Sequence, residues 1–356
     1  MEIGVFRALV MSFAATAFVG CDTSSFTQPE TREPTSIAQF DQWMDEYSNW
    51  GRWGSADELG AATLITDAKR REAAALVETG APADLVQKLP SPVSREATRE
   101  LMAQADLIVA TGSQNNIRAS YSSGTPASGV GQGNVAVIID ETADCEKAAE
   151  KIVASKVFDN ATSCSSENSV IVLEAVYEKF VEALEMQGAR LLDSAEKATL
   201  EKTMWSHGGL NPSILARRAP EIAEVAGLRH TGLDCRVLVV EESGVGERYP
   251  FSGEKLSPVL ALYHVPDFTA ACDRVREIYG YQGAGHSIGL HSSDAERPLQ
   301  LGRPLPACRV IVNQAHCFAT GGSFDNGVPF SLSMGCGTWG GNSVSDNVNY
   351  RHYLNW

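Results

Sequence analysis

Apolar runs alternating with helix-patterned stretches constrain this chain more than any other feature. Residues 107–110, 135–139, 169–173, 236–240, 259–265 and 309–313 are short and apolar, as strands are. Residues 94–105 read as helix. Residues 143–158 place Ala149, Ile152, Val153 and Val157 on one helical face. A helix after Leu173 has Val176, Phe180, Val181 and Leu184 in register, and residues 267–279 are helical between two of the runs. This alternation predicts an α/β fold with a largely parallel sheet. There is no internal repeat and no coiled-coil heptad.

Composition narrows the function classes. The 356 residues suffice for a large core and two or three domains. Net charge is −15, which argues against nucleic acid as a partner. The 8 cysteines are scattered, with no Cys-x-x-Cys and no Cys/His set at zinc spacing. No metal is expected, and thiols so placed read as reduced. The N-terminus points another way. Residues 8–19 are apolar and end at Gly20-Cys21, like a short signal segment with a lipoprotein-type cysteine. Glu2 and the single base Arg7 fit that pattern imperfectly, and a packed helix or a non-native start is the alternative. Residues 22–35, rich in Ser, Thr, Pro and Glu, read as a solvated linker.

Cys164 is the leading candidate for chemistry. It lies in the polar stretch Thr162-Ser163-Cys164-Ser165-Ser166, after a helix-like run and before a strand-like one. A thiol on such a loop is reachable, and free backbone N–H groups there can stabilise an oxyanion. The competing reading is that most cysteines are small buried hydrophobes. Two other motifs match by letters and fail by context. Gly335-Cys336-Gly337-Thr338-Trp339-Gly340 fits a dinucleotide fingerprint, but no βαβ unit follows it. Gly285-His286-Ser287-Ile288-Gly289 fits a serine-hydrolase nucleophile elbow, which needs a strand before it and a helix after. A helix pattern precedes it here, and polar residues follow Leu290.

Taken in order, a set of landmarks resembles the CoA-acylating aldehyde dehydrogenases, most closely the sulfoacetaldehyde dehydrogenase branch. They are Ala110-Thr111-Gly112-Ser113, Tyr121-Ser122-Ser123-Gly124, Gly129-Val130-Gly131-Gln132-Gly133-Asn134, the Cys164 segment, Glu254-Lys255-Leu256-Ser257-Pro258, Gly285-His286 and the glycine-rich stretch from Gly335 to Asn342. The resemblance runs from about residue 79 to the C-terminus. It implies an aldehyde-dehydrogenase-like catalytic domain with an incomplete Rossmann-like dinucleotide-binding domain. It also implies a short aldehyde as substrate, CoA as co-substrate, NAD or NADP as cofactor, a homo-oligomer and a cytoplasmic location.

The resemblance also assigns roles. Cys164 would be the nucleophile. Gly112 and Ser113 would lie against the cofactor, where the competing reading is an ordinary βα turn. Glu254 would bond the nicotinamide ribose, against the reading of a solvated surface glutamate. Asn134, with Gly129, Gly131 and Gly133, would pack beneath the catalytic loop, and His286 would line the acyl or CoA pocket unless it is a structural histidine. Hydrolytic aldehyde dehydrogenases carry a water-activating glutamate at or next to the place of Val130. The family's upstream oxyanion asparagine has no counterpart in this chain.

Residues 37–80 resemble instead the N-terminal segment of the cyclase (kynurenine-formamidase-like) family, through Trp50-Gly51-Arg52-Trp53-Gly54 and Asp57-Glu58-Leu59-Gly60. No His/Asp metal cluster follows, the first histidine being His207. The expected organisation is therefore 1–36 signal-like segment and linker, 37–80 cyclase-like fragment, 81–142 remnant of an NAD(P)-binding domain, 143–330 catalytic domain, and 331–356 returning to the cofactor domain or an oligomer contact. The chain reads as a fusion or truncated product whose missing strands would leave an apolar strand edge exposed. The rival readings are a non-catalytic dehydrogenase remnant and a serine hydrolase.

Overall fold

A computed structural model describes residues 7–11, 15–19, 86–87, 89, 91–206, 208–228, 232 and 234–353. The stretch read as cyclase-like, Cys21 and His207 lie outside the described residues. Contacts divide the chain into two units, Met1–Arg7 with Thr16–Lys88, and Ala8–Ala15 with Leu89–Trp356. The described parts of the apolar N-terminal run are extended. They form β1 (Arg7–Met11) and β2 (Ala15–Val19). In the first unit β2 pairs antiparallel with β3 (Val86–Gln87), Ala17 opposite Gln87 and Phe18 opposite Val86.

The second unit holds a small sheet and a large one. In the small sheet β4 (Leu107–Thr111) pairs in parallel with β5 (Ala127–Val130). Helices α1 (Arg95–Ala103) and α2 (Gln114–Tyr121) flank β4 in sequence, each capped by a serine that accepts a backbone N–H of its first turn. The sequence led us to expect an open edge on β4. Instead β1 runs parallel along it, Ala8 opposite Leu107 through Met11 opposite Ala110.

The large sheet has seven strands in the order β12-β11-β6-β7-β10-β9-β8, and every described pairing is parallel. They are β6 (Val135–Ile139), β7 (Glu167–Leu173), β8 (Ala189–Leu191), β9 (Val237–Glu241), β10 (Val259–Val265), β11 (Ile288–His291) and β12 (Val310–Val312). Residues 135–139, which sequence reading put in a remnant ending at 142, thus form a central strand of the large sheet.

Strand alternation builds two cores. Val135, Val137, Ile139, Val170, Val172, Val237, Val239, Leu260 and Leu262 face one side. That side is covered by α3 (Cys145–Val157) through Ala149, Ile152 and Val153, and by α4 (Tyr177–Met186) through Phe180 and Leu184. Ala136, Ile138, Ile171, Leu173, Leu238, Val240, Val259, Ala261 and Tyr263 face the other. There they meet α5 (Ser194–Met204), α6 (Ala219–Ala226), α7 (Phe268–Tyr281) and α8 (Arg297–Gly302). A sheet buried on both faces explains why its strands read as continuous apolar runs. The last helix, α9 (His316–Thr320), follows β12. No helix among the described residues is long and apolar enough to cross a membrane.

The C-terminal segment returns to the small sheet. The Thr111 hydroxyl bonds that of Ser333 at 3.0 Å, the Ser343 hydroxyl donates to Ala127 O at 2.9 Å, and Val348 packs on Val109 and Val130.

Candidate active site

The four central strands β11, β6, β7 and β10 are neighbours, and the loops entering them at their amino ends carry the landmark residues. These loops are 283–287, 131–134, 162–166 and 253–258. Ligands in open α/β sheets more often sit beyond the carboxyl ends of the strands, so topology alone would have pointed to the wrong edge.

Cys164 lies in the turn leading into β7. The approach to it is strained: Asp159, Asn160 and Ala161 all have left-handed φ, at 49°, 49° and 61°. For Ala161, which has no polar side chain to compensate, this costs on the order of 1–3 kcal/mol, a feature that clusters at functional sites. The Thr162 hydroxyl donates to Asp159 O at 2.8 Å and Ser166 N–H to Ser163 O at 3.0 Å, closing the turn around the thiol. Gly133 lies directly beneath. A Cβ there would come 2.1 Å from Cys164 O, so only glycine fits.

Of the three glycines expected under this loop, the other two pack elsewhere. A Cβ on Gly129 would strike Ile117 and Tyr121, and one on Gly131 would press on Gln114. Gly131 N–H instead donates to Asn342 Oδ1 at 3.3 Å, which also accepts from Cys336 N–H at 2.9 Å. The 335–342 glycine-rich stretch is therefore a brace for the 131–134 loop, with Gly285 packed against Cys336 O. Its dinucleotide-fingerprint spelling belongs to a loop with a single short 3-10 turn, Thr338–Gly340.

His286 meets Cys164: its Nε2 lies 3.3 Å from Sγ. Its Nδ1 is 2.7 Å from Ser287 Oγ, which is 2.8 Å from His316 Nε2. His286, Ser287 and His316 are all buried. Ser287 enters β11 rather than leaving a strand, so it is not the exposed tip of a nucleophile elbow. Burial, aided by the Arg309 guanidinium, holds the His286 imidazole down at about 3. Burial also pushes the Cys164 thiol up to about 12, with Glu254 adding to it. At neutral pH the pair is a neutral thiol facing a neutral imidazole.

Glu254 is half-buried. Its N–H donates to Gln282 Oε1 at 2.9 Å, and burial pushes its carboxyl up to about 7 against the opposing hydrogen bond from Gln132. It is not the solvated surface glutamate of the alternative reading. Asn134 is buried, its Nδ2 donating to Ser252 O at 2.9 Å and Gln282 O at 3.4 Å, while Oδ1 has no partner. It ties three loops together. Gly112 and Ser113 form the turn from β4 into α2. Gly112 has φ 138°, open only to glycine, its N–H donates to Val130 O at 3.3 Å, and Ser113 Oγ accepts from Asn116 N–H at 3.4 Å. Val130 begins the loop that ends under Cys164, which places this turn at its far end.

Sequence reading missed a buried polar group behind the thiol. Lys156 and Glu167 are both fully buried. Lys156 Nζ donates to Ser166 Oγ at 3.3 Å. The Ser155 hydroxyl donates to Glu167 Oε2 at 2.7 Å and His316 N–H to Oε1 at 3.2 Å. Burial lowers the lysine and raises the glutamate, and each charge offsets the other's cost. A signal was present: Lys156 falls three and four residues after Val153 and Ile152, on the apolar face of α3. Lys255 is also buried, its Nζ held by Phe251 O at 2.6 Å and Gly253 O at 2.8 Å. Among the described residues no group of His, Cys, Asp and Glu could hold a metal ion.

The aldehyde dehydrogenase family profile matches residues 67–217, beginning inside the stretch that resembled a cyclase. An acylating sulfoacetaldehyde dehydrogenase of Cupriavidus necator is 61% identical over 283 residues, covering 79% of this chain and 57% of that protein. The crystal structure of an acetylating aldehyde dehydrogenase from Geobacillus thermoglucosidasius superposes with a TM-score of 0.76 at 39% identity, over 83% of this chain and 65% of that one. A propionaldehyde dehydrogenase of Rhodopseudomonas palustris, solved with bound CoA and an acylated cysteine, gives 0.66 at 25% identity, over 76% and 60%. The chain thus spans about three fifths of the length of the proteins it matches. Its sequence and its fold agree: over about four fifths of its length this chain is homologous to the acylating aldehyde dehydrogenases.

Proposed function

We propose that this chain performs the thiol chemistry of a CoA-acylating aldehyde dehydrogenase. Cys164 Sγ adds to the aldehyde carbon, forming an S–C bond and an alkoxide. The alkoxide collapses with loss of the carbon's hydrogen as hydride, leaving a thioester. The CoA sulfur then attacks the thioester carbonyl, and Cys164 leaves as thiolate. Overall, aldehyde, CoA and NAD(P)⁺ give acyl-CoA, NAD(P)H and a proton. A nicotinamide cofactor, when bound, supplies the hydride acceptor and a positive charge that favours the thiolate. Gly112, Ser113 and Glu254 are the residues that would hold it, the open turn at Gly112 and the half-buried Glu254 carboxyl being suited to close approach.

The observation that carries this reading is the 3.3 Å approach of His286 Nε2 to Cys164 Sγ. A protonated thiol is a poor nucleophile, and His286 is the group placed to take its proton; having released that proton to solvent after hydride loss, it can take the next from CoA. Water is disfavoured as the acyl acceptor, because Val130 packs on Val109 and Val348 and has no group that could serve as base. The aldehyde is sulfoacetaldehyde or a similar short aldehyde, by analogy with the Cupriavidus relative. The test is NADH or NADPH formation from sulfoacetaldehyde with and without CoA, with the product identified by mass. Acyl-CoA formation dependent on CoA is expected. Free acid formed equally fast without CoA contradicts the reading.

A further inference from the structure

The serine and histidine beyond His286 have no role in the reaction as written, yet their geometry dictates what His286 can do. Ser287 Oγ lies 2.7 Å from His286 Nδ1 and 2.8 Å from His316 Nε2. It has one proton to donate and sits between two ring nitrogens. We propose that Ser287 and His316 are positioning residues that fix which ring nitrogen of His286 carries its proton, and so make Nε2 a base toward Cys164. This deepens the reading of Cys164 as nucleophile and rests on it.

The argument follows from counting protons. A neutral imidazole has one N–H and one lone pair. If His316 Nε2 accepts the Ser287 O–H, Ser287 Oγ is free to accept from His286 Nδ1–H. His286 Nε2 is then a lone pair facing the thiol. If His316 Nε2 instead donates, the Ser287 O–H turns to His286 Nδ1. His286 must then carry its proton on Nε2, where it can only donate to sulfur. The chain therefore has two polarities, and only the first contains a base. Proton transfer in that polarity is balanced: the Cys164 S–H bond breaks and an Nε2–H bond forms. The product is a thiolate beside an imidazolium whose Nδ1–H remains bonded to Ser287.

The surroundings keep both rings neutral and ordered. His316 sits on the backbone of β11, a Cβ on Gly289 falling 3.1 Å from its Nδ1. Arg309 NH1 donates to His286 O at 3.0 Å, and His316 N–H is held by Glu167. The charged or titratable groups facing His286 are Cys164, Arg309 and His316. Those facing His316 are His286, His291, Arg309 and, at its backbone, Glu167. Glu254, Cys317 and Cys336 also act on the thiol.

The test is the rate of Cys164 alkylation by iodoacetamide as a function of pH, in the full chain, read by peptide mapping. Cys272 and Cys308, also partly buried, serve as internal references. Ser287→Ala and His316→Leu should slow Cys164 labelling at pH 7.5 about tenfold or more and move its midpoint upward, as His286→Gln does. His316→Gln, which keeps an acceptor for the Ser287 hydroxyl, should restore the rate to within about threefold. Parent-like rates and midpoints in Ser287→Ala and His316→Leu, with His286→Gln slowed, overturn the positioning role alone. A parent Cys164 no more reactive than Cys272 and Cys308 overturns the nucleophile reading, and the positioning role with it. Should the variants misfold, ¹⁵N imidazole spectra of the parent decide: His286 protonated on Nδ1 supports the proposal, and protonation on Nε2 overturns it.

Discussion

At the scale of single residues, the site is organised around neutrality. The Cys164 thiol is raised to about 12 and the His286 imidazole lowered to about 3, both chiefly by burial. The charged pair is therefore a minor form, reached as the Cys164 proton passes to His286 Nε2. The histidine shift has a measurable consequence. The unfolded chain takes up a proton near the ordinary pKa of 6.5, whereas folded His286 stays neutral down to about 3. Stability from this residue is therefore complete above 6.5 and lost as pH falls through that window, at up to about 1.4 kcal/mol per pH unit. Glu254 acts in the opposite sense. Its carboxyl, raised to about 7, contributes stability below its ordinary 4.5 that is lost as pH rises toward 7. His291, lowered to about 4 by burial, adds to the acid sensitivity. Urea denaturation of the parent and of His286→Gln from pH 7 to pH 4 isolates the histidine. The variant should lose less stability on acidification, by up to roughly 3 kcal/mol at the lower end. Identical pH slopes would mean that His286 is charged, or accessible, in the folded chain.

At the scale of elements, the glycine beneath the thiol carries a sharp expectation. Gly133→Ala places a methyl against a backbone carbonyl that cannot rotate aside, so the Cys164 turn must move. A stability loss of about 1–3 kcal/mol is expected, with Cys164 alkylation slowed far more than that of Cys272. A parent-like labelling rate would show that the turn is free to relax. The main strands and helices were legible in the sequence because both faces of the large sheet are covered. Residues 135–139 and 259–265 match β6 and β10, and 143–158 contains α3. β5, β8 and β11 were not read, being three or four residues long and, in β5 and β11, interrupted by glycine. The N-terminal run was read as signal or helix because an apolar stretch of that length has no periodicity to decide its state. Of the site, the thiol and its histidine were visible as landmarks. Their 3.3 Å contact was not, because 122 residues separate Cys164 from His286 and only the parallel strand order closes that gap; Ser287 was seen only as the serine of a hydrolase-like motif, and His316, Lys156 and Glu167 were not seen as part of the site.

At the scale of the whole molecule, the fold converges the entrances of four adjacent strands on one thiol, with the C-terminal segment bracing the same loops from the small sheet. That architecture makes a claim about chemistry that can be tested without any cofactor. p-Nitrophenyl acetate delivers an acyl group to a reactive thiol directly, forming the thioester that the aldehyde route would reach by hydride loss. Intact-mass and peptide-mapping measurements on the parent chain should find one acetyl group, on Cys164, absent in Cys164→Ala. Adding CoA should discharge it as acetyl-CoA at least about a hundredfold faster than water does, since a thiolate is the better nucleophile and Val130 offers water no base of its own. Acetylation of Ser287 or of another cysteine, or discharge by water as fast as by CoA, would contradict the account.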